Sequence, residues 1–243
     1  MNKFNLAIAG GVISALTSSA AFAEPSHFFM TESAATAANG SASLAFDYIN
    51  TTASNSGNSA GARVGAFGGE VMINTLPNHS ATGFNTPHIG YKTNVMPNLS
   101  AYGIFSHYND PAPGTDPVND FAIGAAYTID FGTGKAGVDA QLITDNGFDS
   151  LIPGSGNGRG GDTTIFVKGA GQFDIPNIPS KVGLIGEIIL ENNDALYTMV
   201  NLGVRWNPMN NVTADFVLYH DDGSNLNDSM TGIPGAVRLS ITF

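Results

Sequence analysis

Seven charged side chains, Lys92, Asp139, Lys168, Glu187, Arg205, Asp215 and Arg238, lie in stretches where apolar and polar residues alternate. In "KAGVDAQLIT" Asp139 stands between Val138 and Ala140, and in "LYTMVNLGVRW" Arg205 stands between Val204 and Trp206. In a period-two pattern such a charge points away from its apolar neighbours. Both signs gathered on one face can select polar or ionic solutes by their field, with no bond made or broken. Asp47, Asp130, Lys135, Asp174 and Lys181 share that face by the same reading, and Glu70 joins them if the alternation slips at Gly68–Gly69.

Bond-making chemistry has thinner support. The best acid–base candidate is "YHDD" (219–222), where His220 sits beside Asp221 and Asp222, with His107 and Asp110 near another strand end. No second half of a nucleophilic constellation accompanies it, so a hydrolase at the rim is a third reading and the chain is expected not to be an enzyme. The glycine-rich "GSGNGRGGD" (154–162) opens no helix, as a phosphate loop should. The stretch "DDGSNLND" (221–228) lacks the closing Glu of an EF-hand. No catalytic metal or cofactor is expected.

The elements that carry the seven charges must be strands. In "DFAIGAAYTIDFG" (120–132) Phe121, Ile123, Ala125, Tyr127, Ile129 and Phe131 form one face, and Asp120, Ala122, Gly124, Ala126, Thr128 and Asp130 the other. Similar segments recur near 135–144, 164–174, 181–190, 196–206 and 212–219. Less regular ones lie at 41–51, 63–74, 88–96 and 99–108, with a bulge expected at Gly68–Gly69. Connections alternate between short ones (96–98, 132–134, 175–180, 207–210) and long polar ones (77–87, 109–119, 145–162, 221–235). The turn near 192–194 is a short exception on the long side.

Residues 1–23 read as a signal peptide, with Lys3, an apolar run around Leu6–Leu16 and a small-residue site at Ala21–Ala23. Residues 24–243 then form one exported domain. Its net charge, −11 for the whole chain, becomes about −12 once Lys3 is removed, which disfavours nucleic acid as a partner. There is no Cys, hence no disulfide. Charged residues make up only 12% of the chain, while no later apolar run reaches the ~18 to 20 residues of a spanning helix.

The final stretch "VRLSITF", with Val237, Leu239, Ile241 and Phe243 alternating to the last residue, and the pattern of the chain as a whole resemble the transmembrane β-barrels of Gram-negative outer membranes. The resemblance implies an all-β, antiparallel up-and-down barrel, located in the cell outer membrane after signal-peptide export. It implies outer-membrane lipid, lipopolysaccharide and the barrel-assembly machinery as partners, the last reading Val237, Leu239, Ile241 and Phe243. Bacterial single-chain barrels have even strand numbers. Eleven segments are visible with Ser41–Thr51 running downward, so "SHFFMTES" (26–33) is assigned as a twelfth strand, ten strands being the alternative. A soluble β-sandwich would also alternate, but its turns need not alternate short and long. The expected function is passive diffusion of small polar or ionic solutes, with cations favoured by the acidic loops (Asp110, Asp116, Asp145, Asp149, Asp162, Asp221, Asp222, Asp228). A filled lumen, with a non-conducting structural or adhesive barrel acting through those loops, is the alternative.

Overall fold

Residues that alternate cannot satisfy both faces in one solvent, and here the chain separates them by closing on itself. The computed structural model describes residues 28, 31–52, 55–76, 86–108, 118–144, 163–178, 181–193, 195–221 and 236–243, and among these there is no helix. Twelve strands follow in order: β1 (Ala42–Thr52), β2 (Asn55–Ala66), β3 (Gly69–Leu76), β4 (Thr86–Met96), β5 (Leu99–Tyr108), β6 (Val118–Asp130), β7 (Gly134–Thr144), β8 (Thr163–Asp174), β9 (Val182–Asn193), β10 (Ala195–Met209), β11 (Val212–Asp221) and β12 (Ala236–Thr242). Each pairs antiparallel with its sequence neighbour, and β1 pairs with β12 from Ser43↔Thr242 to Ile49↔Ala236. This closure leaves no sheet edge and excludes the sandwich. At the seam the Ala42 amide donates to the Phe243 carbonyl (3.1 Å) and the Phe243 amide donates to the Ala42 carbonyl (2.7 Å).

The twelve strands arise differently from the sequence expectation. The expected strand 63–74 is two strands, β2 and β3, and Gly68–Gly69 is no bulge. Phe67 (φ 57°) and Gly68 (φ 77°) form a two-residue hairpin turn with both central residues at positive φ. "SHFFMTES" is not a barrel strand. Of it, Phe28 and residues 31–33 are described, and they lie inside the barrel. Because the extra strand falls after β1 and not before it, β1 leaves the short-turn end, opposite to the expected direction.

Short connections gather at one end: Phe67–Gly68, Pro97–Asn98, Phe131–Thr133, Ile175–Lys181 and Asn210–Asn211. The connections 77–85, 109–117, 145–162 and 222–235 leave from the other end and lie outside the described residues, with the short 53–54 and 194 at the same end. The outward face is apolar and exposed, as at Ile123, Val138, Leu184, Ile188 and Leu202. Near the short-turn end it carries exposed Phe131, Phe173, Trp206 and Phe67, with Phe243 half-buried. An uncovered apolar surface surrounding a closed barrel matches the hydrocarbon-facing band of a membrane barrel.

Candidate functional site

The inward face reverses this polarity. The strand registers place Glu70, Lys92 and Tyr102 on adjacent strands in one row, and Asp139 directly opposite Lys168. Arg205 is opposite Asp215, which is opposite Arg238. Six of the seven expected site residues, Lys92, Asp139, Lys168, Glu187, Arg205 and Asp215, are buried, and Arg238 is half-buried. Of the other charges read onto this face, Glu70 is buried, Lys135 is half-buried, and Asp130, Asp174 and Lys181 are exposed at the short-turn end. The Asp47 side chain lies outside the described residues.

Buried charges need ionic or hydrogen-bonding partners, and these have them. Arg205 donates from Nε to Asp215 Oδ1 (2.7 Å), from Nη2 to Asp215 Oδ2 (2.8 Å) and from Nη1 to Gln172 Oε1 (2.9 Å). Asp139 lies 3.1 Å from Lys168 Nζ and accepts from Tyr102 Oη at 2.5 Å. Glu187 accepts from Asn201 Nδ2 at 3.2 Å.

The wall does not pair only with itself. A segment from Thr31 to Gly40, ahead of β1, enters the barrel at its buried residues Thr31, Ser33 and Ala34, emerges at exposed Ala38, Asn39 and Gly40, and is hydrogen-bonded to strands around it. The Thr31 amide donates to Glu187 Oε1 (2.9 Å), the Glu32 amide to Asp139 Oδ2 (3.3 Å), the Ala34 amide to Thr128 Oγ1 (2.8 Å) and the Ala37 amide to Glu70 Oε2 (2.7 Å). Ser100 Oγ donates to the Ser33 carbonyl (3.3 Å). Phe28 is fully buried in a cluster with Ala170, Ile185, Val217 and Ala236.

Two inward glycines make room for this segment. A Cβ at Gly137 would come within 2.8 Å of the Phe28 ring, and one at Gly65 would collide with the Ala37 and Ala38 carbonyls. With no side chain these positions allow close approach of another chain. A filled lumen is therefore what the described residues show across the short-turn half, in place of an unobstructed bore.

The tightest part of the segment is Glu32. Arg63 Nη2 lies 2.5 Å from Glu32 Oε1 and Arg63 Nη1 is 2.9 Å from Oε2, a fork-to-fork pair. Lys92 Nζ adds a contact to Oε2 at 2.9 Å. Behind them Glu70 Oε1 accepts from Arg63 Nη1 at 2.7 Å and lies 3.4 Å from Lys92 Nζ. Neither Arg63 nor Glu32 was among the expected site residues. Placing the strand break at Phe67–Gly68 would have put Arg63 on the inward face, whereas no signal in the sequence marks Glu32 as a residue of the interior.

The acid–base candidates are not brought together by anything described. His107 lies on β5 and His220 and Asp221 on β11, with side chains outside the described residues, as are Asp110 and Asp222 entirely. The stretches 154–162 and 222–228, the remaining loop acids and residues 1–23 also lie outside them. Val237 and Leu239 are exposed on the outer face, with Ile241 and Phe243 half-buried beside them.

The chain matches no protein-family model. It also matches no curated protein. In structure it is similar to the NanC porin, solved in a rhombohedral crystal form, with a TM-score of 0.50 and 9% sequence identity over 83% of this chain and 98% of that one. Closed twelve-strand topology, apolar exterior and this likeness together give the chain a porin-like β-barrel fold.

Proposed function

We propose that this protein is an outer-membrane channel for small polar or ionic solutes, its bore narrowed by its own N-terminal segment. The observation that carries this reading is the inverted polarity of the wall: aliphatic residues outside, and Lys92, Asp139, Lys168, Glu187, Arg205, Asp215 and Arg238 inside. An apolar filling would hold the strands together without buried charge, whereas an inner wall of paired charges of both signs sets the field across whatever narrow passage the filling leaves. Of the seven charges only Arg238 is half-buried, so a path left beside the segment would run past it. Acidic loop residues bias the mouth toward cations. Lipid and lipopolysaccharide contact the outer face, and the assembly machinery reads Val237, Leu239, Ile241 and Phe243.

Burial of the segment favours a second reading, a closed barrel that works through its loops. Single-channel recording on the refolded chain in a planar bilayer separates the two. The channel reading expects discrete steps with a cation-biased reversal potential, altered by Arg238→Glu. A silent bilayer containing folded, inserted protein, shown by heat-modifiable migration, selects the closed barrel.

A further inference from the structure

We propose that Arg63 and Lys92 form a carboxylate-binding site in the lumen, occupied at rest by the chain's own Glu32. This deepens the channel reading and rests on it only for the conductance arm of the test. The cations belong to the wall, on β2 and β4, whereas the carboxylate belongs to a segment outside the sheet. Glu70, on β3 between them, fixes both cations from behind and is itself held by the Ala37 amide. The two cations are thus placed by strand register and braced by Glu70, whose other oxygen is held by the segment's Ala37 amide and not by the Glu32 carboxylate.

Its geometry is specific. The two Arg63 nitrogens Nη1 and Nη2 each meet one Glu32 oxygen and the Lys92 ammonium adds a third contact, which suits a two-oxygen carboxylate better than a spherical anion. The charge balance agrees. Arg63 and Lys92 each contact both Glu32 and Glu70, so loss of Glu32 removes one negative charge from a wall where Lys92 and Glu70 have no exposed side-chain surface. Only Glu32 and Arg63 keep some exposure, 13% and 9%, which is the side from which a competing ligand arrives. The class of ligand is a small carboxylate, or a solute that carries one.

The test uses the full mature chain with Glu32→Ala, whose truncated side chain leaves room for acetate. Acetate that binds only the folded barrel raises its unfolding midpoint. The variant's midpoint in detergent should therefore climb with acetate at tens of millimolar, as expected for a ligand of so few atoms, against chloride of equal ionic strength. Acetamide should have no effect. The wild type, with its site filled, should not respond, and adding Arg63→Ala to the variant should abolish the response. In bilayers Glu32→Ala should shift the reversal potential toward anions by several-fold in permeability ratio, and acetate should reverse the shift. Should Glu32→Ala not fold, Glu32→Gln keeps the volume, and acetate displacing the neutral amide gives the same comparison. Equal midpoints in acetate and chloride for the folded variant overturn the site, whatever the conductance. A silent bilayer with an intact acetate response overturns the channel reading and leaves the site standing.

Discussion

Asp215→Ala tests whether the interior beside β10 and β11 is dry. Arg205 and Asp215 are each about 1% exposed and share two hydrogen bonds of 2.7 and 2.8 Å, and Gln172 supplies a neutral acceptor at 2.9 Å. Removing the carboxylate leaves a buried guanidinium without its charge partner, a change that costs about 3–5 kcal/mol in a low-dielectric site. A pair bathed by water would contribute only about 0–1 kcal/mol. Equilibrium urea unfolding from lipid vesicles distinguishes these values. With a slope of about 3 kcal/mol/M, the dry case lowers the midpoint by about 1–1.7 M and the wet case by under about 0.4 M. The double replacement Arg205→Met with Asp215→Leu removes both charges and should recover most of the loss, because well-packed apolar groups often match a buried ion pair. A midpoint shift below about 0.4 M for Asp215→Ala, or a double variant as unstable as the single one, would refute the argument that burial sets the strength of this pair.

Two further expectations follow from the polarity of the wall. Ile123, 63% exposed near the middle of β6, should lie in hydrocarbon, so Ile123→Arg should cost about 2–4 kcal/mol in vesicle refolding. A cost within about 0.5 kcal/mol would mean that water covers this face. Gly124, inward on the same strand, would with a Cβ press on the Tyr102 ring and approach the Ala140 carbonyl to 2.8 Å. Gly124→Ala should therefore destabilise by about 1–3 kcal/mol and couple with Tyr102→Phe in a double-mutant cycle, because the displaced hydroxyl is the donor to Asp139. Additive effects would sink that linkage.

Alternation by itself determined much of this barrel. The facing of Asp139, Lys168, Glu187, Arg205 and Asp215 follows from a period of two within a strand, a local property that any sheet preserves. The alternation of short and long connections likewise assigned the two ends. Both readings failed where local pattern and pairing disagree. Phe67–Gly68 lacks the Asn-Gly or Gly-Gly signature of its turn type, so a hairpin looked like a slip in one strand. β2, with "NSGNSAGARVGA", is too poor in apolar residues to announce itself, and its pairing with β1 and β3 makes it a strand. The segment around Glu32 shows the limit most plainly. "SHFFMTES" passes for a strand only when an even strand number is required of the visible segments, but β1 already has β2 and β12 as neighbours. With both edges of the seam satisfied the segment cannot add to the barrel as a strand, and its backbone meets the wall's at Gly40, whose amide donates to the Gly65 carbonyl (2.9 Å). The segment otherwise meets wall side chains, beside Gly65 and Gly137, and its carboxylate reaches Arg63 and Lys92 across the interior. Such partners are fixed by ring closure, which brings together residues remote in sequence, and only the tertiary structure could decide them.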